Sequence, residues 1–208
     1  MTPDSFVTIS REFSSELREQ SSRFLAIAVP VAEEEEIDAA LKRIRKKYFD
    51  ATHHCYAYRL VGETIAEKFS DAGEPGGTAG KPILLAIQKY KLLNILVVVV
   101  RWFGGVKLGT GGLAKAYASS AEGTLVQCVT IERVMMSSVE IVYPHEMTNT
   151  IMHLVSRFGG KIISTGYDTD VHLTVYVRRG DVPSLGERLT ESTRGRITCN
   201  VIAANIVV

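Results

Sequence analysis

Glycines, cations and carboxylates crowd one stretch of the sequence. Nine of the 17 glycines lie between residues 73 and 112, a density that asks for a local cause. Glycine admits positive φ and close backbone approach, at an entropic cost. Two runs hold these glycines: SDAGEPGGTAGKP from Ser70, and RWFGGVKLGTGGL from Arg101. Each leads into a segment of helical pattern. The first turn of a helix offers unbonded N–H groups and the positive end of a dipole. Anions, phosphates above all, are favoured there. The candidate anion ligands are Gly76, Gly77, Thr78, Gly80 and Lys81 in the first run. In the second they are Arg101, Gly105, Lys107, Gly109, Thr110, Gly111 and Gly112. The plainer reading is two tight strand-to-helix turns that hold no ligand.

A second chemistry is acid–base. His53, His54, Asp71 and Glu74 are of the residue types that move protons. They would serve an enzyme acting on a small phosphorylated or peptide-like substrate, but no nucleophile–base pair is fixed by their spacing. For Asp71 and Glu74, capping of backbone N–H groups is the simpler role. A metal would need three or four converging ligands, from a histidine, Cys55 and Asp71 or Glu74. His53 and His54 are adjacent on a predicted strand and point to opposite faces, so packed or surface histidines are expected instead. Gly80-Lys81 is no nucleotide P-loop: Pro75 stands where its first glycine is required and Pro82 where Ser or Thr would hold magnesium. Residues 109–114 match GxGxxA, but after a late strand outside a repeating βαβ sheet. No cofactor and no metal are expected.

These residues need a scaffold. Residues 94–103, NILVVVVRWF, form the strongest apolar run and read as a central strand covered on both faces. Residues 53–60 and 65–70 read as further strands, and residues 6–13 and 17–29 as two strands with a polar turn at 12–16. Residues 33–48 form an amphipathic helix: Ile37, Ala40, Leu41, Ile44 and Tyr48 share a face. Acids fill its first turn and bases its last, each at the favoured dipole end. Helices are predicted over 81–90 and from Leu113 to about Gln127. Residues 139–208 then read strand, helix, strand, strand, helix, strand, a ferredoxin-like order. The predicted class is α+β, with domains 1–134 and 138–208 and a break between.

The balance of 24 basic and 23 acidic residues, net +1, advertises no nucleic-acid binding through bulk charge, so any such contact must use a local patch. Cys55, Cys128 and Cys199 are too few and too scattered for a disulfide framework, which suits a reducing compartment. The N-terminus lacks a signal-peptide pattern, and the apolar run is too short to span a bilayer. A cytoplasmic protein with no membrane contact is expected. The sequence leaves the oligomeric state open.

Three motifs carry a family resemblance: HHCYAYR from His53, KFSDAGEPGGTAGKP from Lys68, and VVVVRWFGGVKLGTGGLAKAY from Val97. In order and with little departure, they resemble the shared motifs of the Impact/YigZ family. Trp102-Phe103 stands where paired aromatics are usual. The resemblance implies an N-terminal fold like the second domain of ribosomal protein S5, with two helices on one face. It implies a C-terminal unit like the last domain of elongation factor G, as in bacterial members. In eukaryotic members the domain accompanies an RWD module and restrains an initiation-factor kinase by competing for its co-activator. No RWD module is read here, so that partner is not carried over. The family points to fold more firmly than to activity. The expected function is a non-enzymatic module that binds RNA or the ribosome and tunes translation, with a protein partner as a further option. Arg59, Trp102 and Lys115 join Lys81, Arg101 and Lys107 as candidate nucleic-acid contacts, since cations meet phosphates and aromatic rings stack on bases. The alternative is the enzyme built on His53, His54, Asp71 and Glu74.

Overall fold

The computed structural model describes residues 3–208. They divide into two compact units, one of residues 6–132 and one of residues 133–208 with residues 3–5. The first is built on a five-stranded sheet in the order β2 (Phe13–Glu19), β3 (Ser22–Pro30), β6 (Ile95–Trp102), β4 (His53–Val61) and β5 (Ile65–Ser70). Every pairing in it is antiparallel. β1 (Ser5–Ile9) meets Leu92 through a single parallel bridge at Val7.

β6 is the middle strand, and its apolar run is buried on both faces. Ile95, Val97 and Val99 join the core beneath α2 (Gly80–Lys89) and α3 (Gly109–Leu125). Leu96, Val98 and Val100 join the core beneath α1 (Glu34–Lys47). None of the six is exposed to solvent. Burial of each such side chain contributes about 2 kcal/mol, so the strand anchors the unit. The two-residue period then decides the end of the strand: Arg101 continues the α2/α3 face, and Trp102 continues the α1 face, where it packs on the core.

Three boundaries differ from the sequence expectation. Residues 12–16, expected as a turn, belong mostly to β2, and the reversal comes at Gln20-Ser21. Gln20 takes the positive φ of that turn, 50°. The polar alternation of β2 was the misleading signal, because one side of that edge strand faces solvent. Gly109–Gly112 form the first turn of α3 and not a loop leading to it. Residues 134–138 form no linker: they lie within β7 (Thr130–Tyr143), a continuous strand that contains the boundary between the units.

In the second unit β7 is followed by a short 3-10 turn and α4 (Thr148–Arg157), then β8 (Lys161–Tyr167), β9 (Val171–Arg178), α5 (Val182–Thr193) and β10 (Thr198–Val207). The strands lie in the order β10, β7, β9, β8 with antiparallel neighbours. Ile151, Leu154 and Val155 of α4 and Leu185 and Leu189 of α5 pack with Val139, Ile141, Leu173 and Val175 of the sheet. This is a ferredoxin-like arrangement, and the chain as a whole is α+β. Among the described residues no helix is long and apolar enough to cross a membrane.

Candidate functional site

Strand register assembles the first part of the site. Arg101 of β6 lies between Phe24 of β3 and His53 of β4, each its direct cross-strand partner. All three follow the face covered by α2 and α3. From the turn after β5, Glu74 reaches Arg101. Arg101 Nη1 donates to Glu74 Oε1 at 2.6 Å, and the Tyr117 hydroxyl of α3 donates to the same oxygen at 2.8 Å. His53 Nε2 stands 3.8 Å from it. Arg101 Nη2 donates to Ser22 Oγ at 3.2 Å. The side chains of Arg101 and Glu74 are 5% and 3% exposed. A buried ion pair gains little net stability, but losing one partner strands the other charge, at about 3–5 kcal/mol.

Cys55, one turn of the strand from His53, extends the network. Its thiol approaches Asp71 O at 3.0 Å and the Tyr117 hydroxyl at 3.3 Å. Burial pushes the thiol pKa up to about 12, against a smaller lowering by the Tyr117 hydrogen bond. Burial likewise raises the Tyr117 hydroxyl, with the nearby Cys55 adding to it. Both groups are protonated at neutral pH. Cys55 is a packed hydrogen-bonding group and not a thiolate nucleophile.

The first glycine run is closed by its own carboxylate. Asp71 Oδ1 accepts from the N–H groups of Ala79 (2.9 Å) and Gly80 (2.8 Å), and Oδ2 accepts from Gly77 N–H at 2.8 Å. Thr78 Oγ1 donates to Pro75 O at 2.7 Å. Burial alone would raise the Asp71 carboxyl, but the N–H groups of Gly77, Gly80 and Ala79 outweigh it and hold it below its ordinary value. The N–H groups at the start of α2 thus already have their anion. Of the residues expected to hold an anion here, Gly77 and Gly80 give their N–H groups to Asp71, Thr78 bonds within the turn, and Lys81 is exposed.

The second run is different. α3 has no side-chain cap at Leu108 and no acidic residue in its first turn. Gly109 carries a positive φ of 71°, which suits glycine alone at this sharp entry. Gly104 has another reason to be glycine: a Cβ there would fall 1.7 Å from Ser21 O, so the loop lies against the β2–β3 hairpin. Gly105 turns at φ 87° in solvent. The start of α3 opens on a cleft of about 390 Å³. Glu74 and Pro75 of the first loop and Phe103, Lys107, Leu108 and Thr110 of the second line it, with Arg101 at its wall. Both loops thus contribute to one concavity, but only the second presents helix N–H groups without a resident carboxylate. Chemically the cleft combines the Lys107 cation, a mutually neutralised Arg101–Glu74 pair, a helix dipole and an apolar wall, which suits an anion carried on a partly apolar ligand.

The remaining candidates lie elsewhere or are engaged. His54 occupies the opposite face of β4, where Nε2 pairs with Tyr48 O at 3.0 Å and burial lowers its pKa. Asp71 is a cap. The set His53, His54, Asp71 and Glu74 is therefore not assembled as one acid–base centre; only His53 and Glu74 meet. Trp102 sits on the α1 side, with Nε1 donating to Asp50 Oδ2 at 2.9 Å, Tyr48 edge-on at 5.8 Å, and the Arg23 guanidinium 3.9 Å over its ring. Its ring is occupied and does not face the cleft. Arg59 is held by Glu67 at 2.7 Å and by Leu92 O at 3.1 Å. Lys115 is exposed on α3 outside the cleft lining. Among the described residues no group of three or more His, Cys, Asp or Glu is placed to hold a metal. Tyr117, Ser22, Phe103 and Leu108 are site residues that motif reading passed over.

Fold and cleft together define a two-unit α+β protein whose first unit carries a cation-lined cleft at a helix start. Its relatives agree with that architecture. The sequence matches the Impact N-terminal domain over residues 20–125 and a domain of unknown function, DUF1949, over residues 141–196. The chain belongs to the IMPACT family. It is 33% identical to the IMPACT family member YvyE of Bacillus subtilis (strain 168), over 92% of this chain and 88% of that protein. It is 32% identical to the IMPACT family member YigZ of Escherichia coli (strain K12), over 86% of this chain and 88% of that protein. A crystal structure titled only as that of a hypothetical protein superposes with a TM-score of 0.70 at 30% identity, covering 97% of this chain and 98% of that one.

Proposed function

We propose that the first unit binds single-stranded RNA at the cleft over the start of α3, as a non-enzymatic module of translation control working at the ribosome. The contrast between the two helix starts carries this reading. Asp71 holds the N–H groups of Gly77, Ala79 and Gly80 at the start of α2, whereas α3 opens with Gly109 and Thr110 on a cleft that Lys107 also lines. A backbone phosphate meets the N–H groups and Lys107, and Phe103, 46% exposed at the rim, offers a face for a base. The implied likeness of the two units to parts of ribosomal protein S5 and elongation factor G supports the ribosomal setting.

Fluorescence anisotropy of a labelled oligouridylate against salt tests this. With near-zero net charge and one cleft, about two to four phosphate contacts are expected, a log–log salt slope of about −1.4 to −2.8. Lys107→Ala should reduce that slope by about 0.7, one contact's worth. Lys81→Ala, at the closed start of α2, should leave it unchanged. Binding insensitive to salt, or equal losses from the two lysines, would contradict the assignment.

A further inference from the structure

We infer that Glu74 makes the cleft selective for RNA over DNA by accepting a hydrogen bond from a ribose 2′-hydroxyl; the inference rests on the RNA reading above. The Glu74 carboxylate has an uneven environment. Arg101, Tyr117 and His53 all address Oε1. Among the described residues nothing donates to Oε2. The side chain is only 3% exposed, yet Glu74 contributes to the lining of the cleft. Oε2 keeps access to solvent, so a ligand that brings an N–H or O–H replaces water there with a charge-assisted hydrogen bond. Arg101 Nε, by contrast, is buried and has no partner among the described residues.

The site thus asks for two things at once. The start of α3 and Lys107 ask for an anion, and Glu74 Oε2 asks for a neutral donor close by. Glu74, Lys107 and the start of α3 line one cleft of about 390 Å³, so a single nucleotide can meet all of them. A ribonucleotide supplies the anion and the donor within one sugar: its phosphate and its 2′-hydroxyl. Deoxyribose supplies the phosphate and leaves Oε2 unpaired. The carboxylate does not expel the phosphate, because Arg101 already neutralises it at Oε1. The 2′-hydroxyl is also the group by which proteins generally separate RNA from DNA.

The test compares three short strands with the same bases and the same phosphates: oligouridylate RNA, oligodeoxyuridylate, and 2′-O-methyl oligouridylate. Each is titrated by anisotropy against the full chain at fixed salt. RNA should bind about tenfold more tightly than DNA, the effect of one charge-assisted hydrogen bond. The 2′-O-methyl strand, which keeps the oxygen but cannot donate, should bind like DNA. Glu74→Gln, checked for folding by thermal unfolding, should bring the RNA-to-DNA ratio towards one, while the uncompensated Arg101 charge steepens the salt slope for RNA and DNA alike. If that variant does not fold, the three strands on the native chain decide alone. Equal affinity for RNA and DNA, tight binding of the 2′-O-methyl strand, or an unchanged ratio in folded Glu74→Gln would overturn the role of Glu74 and leave the phosphate site standing. No salt-dependent binding of any strand would remove the RNA reading itself, and this inference with it.

Discussion

Replacing Asp71 by alanine should destabilise the first unit by about 3 kcal/mol, well beyond an ordinary helix cap. Three backbone donors lose their acceptor at once. Gly77 is exposed, so water can replace its bond, but Ala79 and Gly80 are buried. An N-cap substitution costs about 0.5–2 kcal/mol, and each buried N–H left unsatisfied costs about 1–3 kcal/mol. Two buried N–H groups at about 1.5 kcal/mol each give the stated value. The pH dependence has a definite sign. The folded carboxyl is held below its ordinary value, so its stabilisation is complete above the unfolded pKa of about 3.8 and fades as pH falls through the folded value. The gap between wild type and Asp71→Ala should therefore be constant near neutrality and narrow only in acid. Urea unfolding followed by fluorescence suits this, because the chain has one tryptophan, Trp102, and it lies in the first unit. A loss under about 1 kcal/mol, or a gap that persists unchanged into strong acid, would refute Asp71 as the closing anion of α2.

Three further outcomes follow from the same geometry. Gly111→Ala adds a methyl that meets nothing within 4 Å of the protein, so stability should hold or rise by up to about 1 kcal/mol, while RNA affinity falls about fivefold because the methyl crowds a phosphate on the helix start although the N–H is kept. Gly104→Ala should cost about 1–3 kcal/mol in chemical unfolding, because its Cβ would strike the Ser21 backbone. Cys55, with its pKa pushed up to about 12, should ignore a thiol reagent at neutral pH in the folded chain and react fully in denaturant.

The scaffold was legible because its signals are periodic. Ile95 to Val100 alternate between two cores, and that alternation is written in an unbroken apolar run between glycine-rich turns. The α1 stripe and the strand–helix order of the second unit were legible for the same reason. The continuity of β7 was not: Ser137 and Ser138 look like a break in sequence, yet both are buried within the strand. Within the site, strand parity places His53 and Cys55 opposite His54, and Arg101 opposite Trp102, and the register of β4 on β6 then joins His53 to Arg101. That rule could have excluded His54 from the acid–base set and Trp102 from the cleft. What parity could not reveal is which helix start lacks its anion. Asp71 stands six to nine residues before the N–H groups it caps, and only the folded turn brings it there. Tyr117 was hidden differently, as an aromatic on a buried helix face whose hydroxyl finds Glu74 across 43 residues.

The most direct test of the α3 site is the response of backbone amides when oligouridylate is titrated into the isotope-labelled chain. The N–H signals of Gly109, Thr110 and Gly111 should move in a saturable manner, with that of Lys107 beside them. Those of Gly77, Ala79 and Gly80, already bonded to Asp71, should stay in place. Shifts centred on the start of α2, or an undisturbed start of α3 at saturating RNA, would contradict the assignment of the cleft.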